Sequence, residues 1–268
     1  MKKKIGFIGA GNMAKAMIGG IVKSGLVEGS SVYASDLNTV ALESVKAEYG
    51  INVTTDSKEI VKNSDIVIVA VKPNIYDLVL EGVKELIDND KIIVTIAAGK
   101  TIASIEKVIG DDKKIVRTMP NTPALVNEGM SALCKNKNIT DEELAMVKNI
   151  FSSFGKAEVV SEYLIDAVIG ASGSAPAYVF MFIEAMADAA VVAGMPRNQA
   201  YTFAAQAVMG SAKMVLETGK HPGELKDMVC SPGGTTIEAV KTLEEEGFRS
   251  AVIKAIGDCI EKSKEMSK

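Results

Sequence analysis

The chain has 268 residues, with 30 Lys+Arg against 34 Asp+Glu, a net charge of −4 and 47% hydrophobic residues. High apolar content with low net charge excludes a disordered chain, and the length suits one large or two ordinary domains. A slightly acidic balance gives no electrostatic ground for nucleic acid or an anionic membrane as a partner.

Lysines at positions 2–4 ahead of a short apolar run imitate the start of a signal peptide, but glycines interrupt that run and a buried strand at 4–9 is the better reading. Further Ile/Val-rich runs at 31–35, 51–54, 66–71, 92–96 and 115–119 read as strands covered on both faces. Helical patterns fill the intervals at 12–23, 39–49, 57–63, 75–88 and 102–109. This alternation predicts a parallel sheet with right-handed crossovers. Runs at 130–134 and 157–160 read as further strands around a helix at 142–154.

Beyond Ser161 the strands stop. A helix over 175–193 ends at Gly194, and Pro196 opens another that runs to about 218. Two more helices are expected at 236–246 and from 248 to the end. The domain boundary falls at residue 162, giving a mixed α/β domain 1–161 and an all-helical domain 162–268. The run 175–195 is long enough to cross a bilayer. Glu184 and Asp188 near its middle would each cost roughly 2.5–3.5 kcal/mol there, so a helix buried between protein surfaces is favoured. Roughly a hundred residues cannot easily cover two helices that are apolar on most faces. Ala185, Ala189, Ala193, Ala204, Ala207 and Gly210 would permit close backbone approach, so these helices are expected to pack against a second copy of the chain. An ordinary monomeric core is the alternative.

Ile8-Gly9-Ala10-Gly11-Asn12-Met13-Ala14 follows the first strand and opens a helix, the context of a dinucleotide fingerprint. Gly9 would permit the tight turn, Gly11 the approach of a pyrophosphate, and Ala14 close packing on the sheet. A glycine turn without ligand is the bland alternative. Asp36 at the end of the second strand stands where an acid binds the adenosine ribose and leans to NAD; Ser35 and Asn38 could still receive a 2′-phosphate, so the preference stays open. Ala70-Val71-Lys72-Pro73 puts Lys72 at the carboxyl edge of the sheet, as a ligand group or as a solvated charge. Ala97-Ala98-Gly99 leaves room for a flat ring, and Met119-Pro120-Asn121-Thr122-Pro123 offers the Asn121 amide, unless that side chain only forms an Asx-turn.

In the helical domain, Cys230-Ser231-Pro232-Gly233-Gly234-Thr235-Thr236 leads into a helix. Such a loop is a nest of N–H donors suited to a small carboxylate, or else Thr235 or Thr236 is a helix cap. Cys230 is a reactive-thiol candidate, though a buried small hydrophobe is the commoner role. The other cysteines, Cys134 and Cys259, are far off in sequence, and no CxxC or HxxxH spacing exists. A zinc site is thereby disfavoured, and the scattered thiols fit a reducing cytoplasm. With His221 the one histidine, imidazole acid–base catalysis is nearly excluded.

These motifs, with Gly173-Ser174-Ala175-Pro176-Ala177-Tyr178 and the stretch from Pro222 through Thr236 to Ala239, span nearly the whole chain. In this order they resemble the pyrroline-5-carboxylate reductases, which reduce 1-pyrroline-5-carboxylate to L-proline in the last step of proline biosynthesis. The resemblance implies a Rossmann domain, a helical dimerisation domain, and dimers that often assemble into rings of five. It implies that Gly9 to Met13, with Ile8, hold the cofactor pyrophosphate and that Ser35, Asp36 and Asn38 surround the ribose. Ser57 falls on the adenine side, and Ala70, Val71, Lys72, Pro73, Ala97 and Asn121 fall at the nicotinamide end. Ser231, Gly233, Gly234 and Thr235 would bind the substrate carboxylate, and Thr236 would be the catalytic residue, bonded to the ring nitrogen. The family favours NADPH, whereas Asp36 replaces what is often a neutral residue. A β-hydroxyacid dehydrogenase is the nearest rival, but residues 170–192 lack the lysine those enzymes carry on the corresponding helix. A non-catalytic NAD(P)-sensing protein is the other alternative.

Overall fold

A computed structural model describes residues 3–267. Met1 and Lys2 of the basic start, and Lys268 at the end of the last expected helix, lie outside the described residues. Eight strands form one sheet: β1 (Ile5–Ile8), β2 (Val32–Ser35), β3 (Asn52–Thr54), β4 (Ile66–Val69), β5 (Ile92–Thr95), β6 (Lys114–Met119), β7 (Gly129–Lys135) and β8 (Gly155–Val159), in the order β3-β2-β1-β4-β5-β6-β7-β8. Strands β1 to β6 run parallel. Strand β7 is antiparallel to β6 and parallel to β8, a reversal at one edge of the expected parallel sheet. The cause is the short link between β6 and β7, which has no room for the crossover that parallel pairing needs.

Every residue of β1, β4 and β5 is buried, which explains their unbroken Ile/Val runs. Successive side chains still alternate between two cores. Ile5, Phe7, Ile66, Ile68, Ile92 and Val94 face α1 (Asn12–Lys23), α2 (Thr39–Tyr49) and, later in the chain, α6 (Asp141–Ser152). Ile8, Val67, Val69 and Ile93 face α3 (Ser57–Asn63), α4 (Pro73–Val83) and α5 (Ile102–Ile109). Each such buried side chain is worth roughly 1.5–3 kcal/mol.

Helix boundaries follow local chemistry. Asn38, Asp56 and Thr101 accept backbone N–H bonds at the starts of α2, α3 and α5, and Thr140 with Glu143 forms a capping box on α6. Helix α4 begins at Pro73 and ends at Val83, before a tighter turn at Lys84–Leu86, rather than covering 75–88. Burial pushes the Cys134 thiol on β7 up to about 12, which makes it a packed hydrophobe rather than a nucleophile.

The chain divides into two compact units, one reaching Ser174 and resuming at Cys259, the other Ala175–Asp258. This division lies later than the residue-162 boundary. The short helix α7 (Ile165–Val168) and the wide turn Ile169–Gly173 bury Ile165 and Ile169 in the sheet unit's second core. The second unit holds α8 (Ala175–Val192), α9 (Arg197–Thr218), α10 (Pro222–Val229), α11 (Thr235–Glu245) and the first part of α12 (Phe248–Met266). Helix α10 was not expected; His221 caps it, its Nδ1 accepting the Gly223 N–H at 3.0 Å. The buried core of this unit is small: Ala187 of α8 against Ala200 and Ala204 of α9. Phe180, Met181, Phe203 and Leu216 are all more than 60% exposed. The stretch Glu162–Val192 is long and apolar enough to cross a membrane by length and composition, and only 6% of its most apolar window is buried within the chain. Ala185, Ala189, Ala193 and Ala207 are likewise exposed, so of the expected close-approach alanines only Ala204 is buried within the chain.

Gly155 opens β8 at φ +147, where a Cβ would stand 2.0 Å from the Gly129 carbonyl oxygen. Gly155→Ala is expected to destabilise the sheet unit by about 3 kcal/mol or more, seen as a lower urea midpoint.

Candidate active site

Strands β1 and β4 are neighbours, but the chain continues from them in opposite directions, to β2 beyond β1 and β5 beyond β4. Connections diverge above their carboxyl ends, and open α/β sheets bind ligands in such an opening. A cleft of about 310 Å³ lies there, lined by Ile8, Gly9, Gly11, Ser35, Asp36, Ser57, Ala70, Val71 and Lys72, and also by Leu37, Thr55, Ile75 and Val79. The last four escaped the sequence reading because side chains facing a cleft from turns and from one helix face carry no motif.

Gly9 has φ +106, and a Cβ there would stand 2.6 Å from the Ala70 carbonyl oxygen. Its N–H donates to the Ser35 carbonyl at 2.7 Å, tying the turn to the end of β2. Gly11 is the N-cap of α1, with no side-chain cap bond, and a Cβ on it would meet nothing within 4 Å. The first-turn donors of α1 therefore open onto space that an anion can enter. An uncapped helix start above a glycine turn fits a dinucleotide pyrophosphate, which would supply the partners that a capping side chain supplies elsewhere.

One carboxylate oxygen of Asp36 accepts the Ala10 N–H at 2.7 Å and the other accepts the Asn38 N–H at 2.9 Å. The Ser35 and Ser57 hydroxyls are 3.3 Å apart. Lys72 is the exposed N-cap residue of α4 and makes no ion pair among the described residues.

Other expected residues do not line this cleft. Asn12 is exposed at the first position of α1 and Met13 packs on the core. Asn38 uses its side-chain oxygen to cap α2 through the Ala41 N–H, and Pro73 opens α4 beside Lys72. Ala97 is buried past the end of β5, its N–H on the Thr95 hydroxyl at 3.2 Å. The free amide expected of Asn121 is corrected: its Oδ1 accepts the Met130 N–H at 2.8 Å and its Nδ2 donates to the Ser172 carbonyl at 3.2 Å. The carboxamide stitches two distant segments together, so the Asx-turn alternative is corrected too.

In the helical unit, Gly234 is the N-cap of α11 and no side chain caps it, which corrects the alternative that Thr235 or Thr236 is the cap. Both are the first helical residues, and neither hydroxyl is bonded within the described chain. Gly233 takes φ +67. The Gly234 N–H already donates to the Ser231 carbonyl at 3.0 Å, so the expected donor set shrinks to Gly233 and the first turn of α11. Cys230 is half-buried next to this loop.

A doubly wound sheet with an uncapped glycine turn at its switch point is the architecture of a dinucleotide-binding protein, here joined to a separate helical unit. Residues 4–99 match the family model described as NADP oxidoreductase coenzyme F420-dependent, and residues 162–266 match that of pyrroline-5-carboxylate reductase dimerisation. The pyrroline-5-carboxylate reductase of Escherichia coli is 56% identical over 100% of both chains. That of Methanosarcina acetivorans is 48% identical over 99% of this chain and 98% of its own. The crystal structure of the Plasmodium falciparum pyrroline carboxylate reductase with NADP bound superposes with a TM-score of 0.91 at 33% identity, covering 100% of this chain and 99% of that one. The chain belongs to the pyrroline-5-carboxylate reductase family. Membership of this family decides against the β-hydroxyacid dehydrogenase and sensor alternatives, and makes the chain an oxidoreductase that uses NAD(P)H, acts on a small molecule and forms a homo-oligomer.

Two glycine substitutions separate folding from ligand approach. Gly9→Ala should lower both stability and NAD(P)H affinity. Gly11→Ala should leave the melting temperature within about 2 °C of wild type while weakening NAD(P)H binding about tenfold or more, measured by calorimetric titration.

Proposed function

We propose that the switch-point cleft holds NAD(P)H and that the loop from Ser231 to Thr236 holds the carboxylate of 1-pyrroline-5-carboxylate, the imine reduced to L-proline. Residues 1–161 then serve the cofactor and 162–268 serve substrate binding and assembly. The observation that carries this reading is that the two glycine-led helix starts, α1 and α11, have no side-chain cap. Each leaves N–H donors unspent for an anion.

Bound NAD(P)H supplies the hydride that the electrophilic imine carbon accepts. The protein's own work is binding and orientation, which supplies much of the rate when the reacting atoms are held in line. Gly11 and the first turn of α1 hold the pyrophosphate, and Asp36 and Ser35 border the ribose. The α1 turn brings no side-chain charge of its own, so its backbone dipole meets the phosphates directly. Gly233, Thr235 and the first-turn N–H groups of α11 receive the substrate carboxylate. Thr236 bonds the ring nitrogen through its unengaged hydroxyl and fixes the ring's orientation. A threonine hydroxyl is far too weak an acid to ionise at neutral pH, so its part is to stabilise the nitrogen as electron density shifts onto it, while the proton comes from solvent. His221 takes no part, being committed as the cap of α10.

Assembly through the helical unit follows from its exposed apolar faces on α8 and α9. We infer a homodimer as the basic unit, with a ring of five dimers as the larger assembly the resemblance suggests. We infer a cytoplasmic location, which three free cysteines suit.

Thr236→Ala should lower kcat about 100-fold while leaving the NAD(P)H dissociation constant within about twofold; an unchanged kcat in steady-state assays would remove Thr236 from the mechanism. Phe203→Glu should shift the sedimenting species to lower mass, and a wild-type chain sedimenting as a stable monomer at micromolar concentration would overturn the assembly.

A further inference from the structure

We propose that Asp36 makes this chain select NADH over NADPH; the inference rests on reading the switch-point cleft as the cofactor site. The carboxylate is pinned from two directions, with Oδ2 accepting the Ala10 N–H of the glycine turn at 2.7 Å and Oδ1 accepting the Asn38 N–H at 2.9 Å. Swinging it aside to admit an incoming phosphate would strip both donors at once, one of them inside the turn that receives the pyrophosphate. The charge is therefore a fixed part of the cleft wall.

A carboxylate has about four acceptor sites, and backbone donors occupy two. The remaining sites suit the paired hydroxyls of an adenosine ribose, which are donors. They repel a 2′-phosphate, which brings only acceptors and close to two negative charges. A phosphate-binding version of this site would need a cation beside Asp36. The next residue is Leu37, apolar, 90% exposed and part of the cleft lining. The other charged residue lining the cleft is Lys72. It follows β4, and β1 lies between that strand and β2, whose end carries Asp36. Strand spacing puts the two backbones roughly 10 Å apart, a separation at which solvent and salt weaken any neutralisation. The Ser35 and Ser57 hydroxyls can donate to a phosphate, but they already lie 3.3 Å from each other, and neither brings charge.

The test is direct titration of the full-length protein with NADH and with NADPH. The chain contains no tryptophan, so the fluorescence of the reduced nicotinamide itself reports binding. Wild type should bind NADH at least about tenfold more tightly than NADPH. Asp36→Asn keeps an acceptor oxygen for the glycine turn and removes the charge. It should narrow that ratio by about tenfold, mainly by tightening NADPH. Should that variant fail to fold, Leu37→Arg adds a cation while leaving both backbone bonds in place, and it should narrow the ratio in the same direction. Equal or tighter binding of NADPH by wild type, or a ratio that neither variant moves, overturns the selection by Asp36 while leaving the cofactor site intact. Binding of neither dinucleotide overturns both the selection and the site.

Discussion

The site depends on one contact, the approach of Gly9 to the Ala70 carbonyl at the point where β1 and β4 part. No side chain fits between them, since a Cβ would lie 2.6 Å from that oxygen, and φ of +106 is open to glycine without strain. The turn this allows sends its own N–H to Ser35 and the next one to Asp36. It then delivers Gly11 to the head of α1 with its donors unspent. Remove the close approach and the ends of β1, β2 and β4 lose the registration that makes a cleft of them.

A second pattern is the placement of helix caps. At α2, α3, α5 and α6 a side chain of Asn, Asp or Thr satisfies the first turn, whereas α4 and α9 start without one, behind Lys72 and Pro196. Helices α1 and α11 also start without one, from Gly11 and Gly234. A missing cap costs about 1 kcal/mol, which an anion bound at the same donors would offset. His221 shows the contrast within the helical unit, since it caps α10 just upstream of the open loop.

The helical unit leaves much of its apolar surface uncovered within the chain. Its fully buried core is Ala187, Ala200 and Ala204, with Ile183, Met186, Ala190, Val191 and Met195 packed half-buried against it. The large apolar side chains that would form an ordinary core, such as Phe180 and Phe203, stand on its surface. These exposed apolar faces suit burial against a second copy, consistent with the homo-oligomer that the family match shows.

Local chemistry made most of the fold readable in the chain alone. The strand–helix alternation, the glycine turn and the Pro-Gly-Gly loop all depend on residues adjacent in sequence, whose periodicity and φ preferences act within a few positions. Helix α10 escaped although Pro222 stands at its first position, because it spans only eight residues and its cap is His221 rather than Ser, Thr, Asp or Asn. The reversed β7 escaped because strand direction depends on how much chain links two strands, and the buried runs alone do not specify it. At the site, the sequence placed Gly9, Gly11, Asp36 and Lys72 at strand ends. It could not tell which polar groups the folded chain would consume. Sequence position offers the Asn121 amide to a ligand, whereas the fold engages it with Met130 and Ser172; it puts Asp36 at the ribose, and only the fold shows that Ala10 and Asn38 hold the carboxylate in place. Hydrogen bonds between segments far apart in the chain depend on the positions of whole strands and helices, and only the packed tertiary structure sets those.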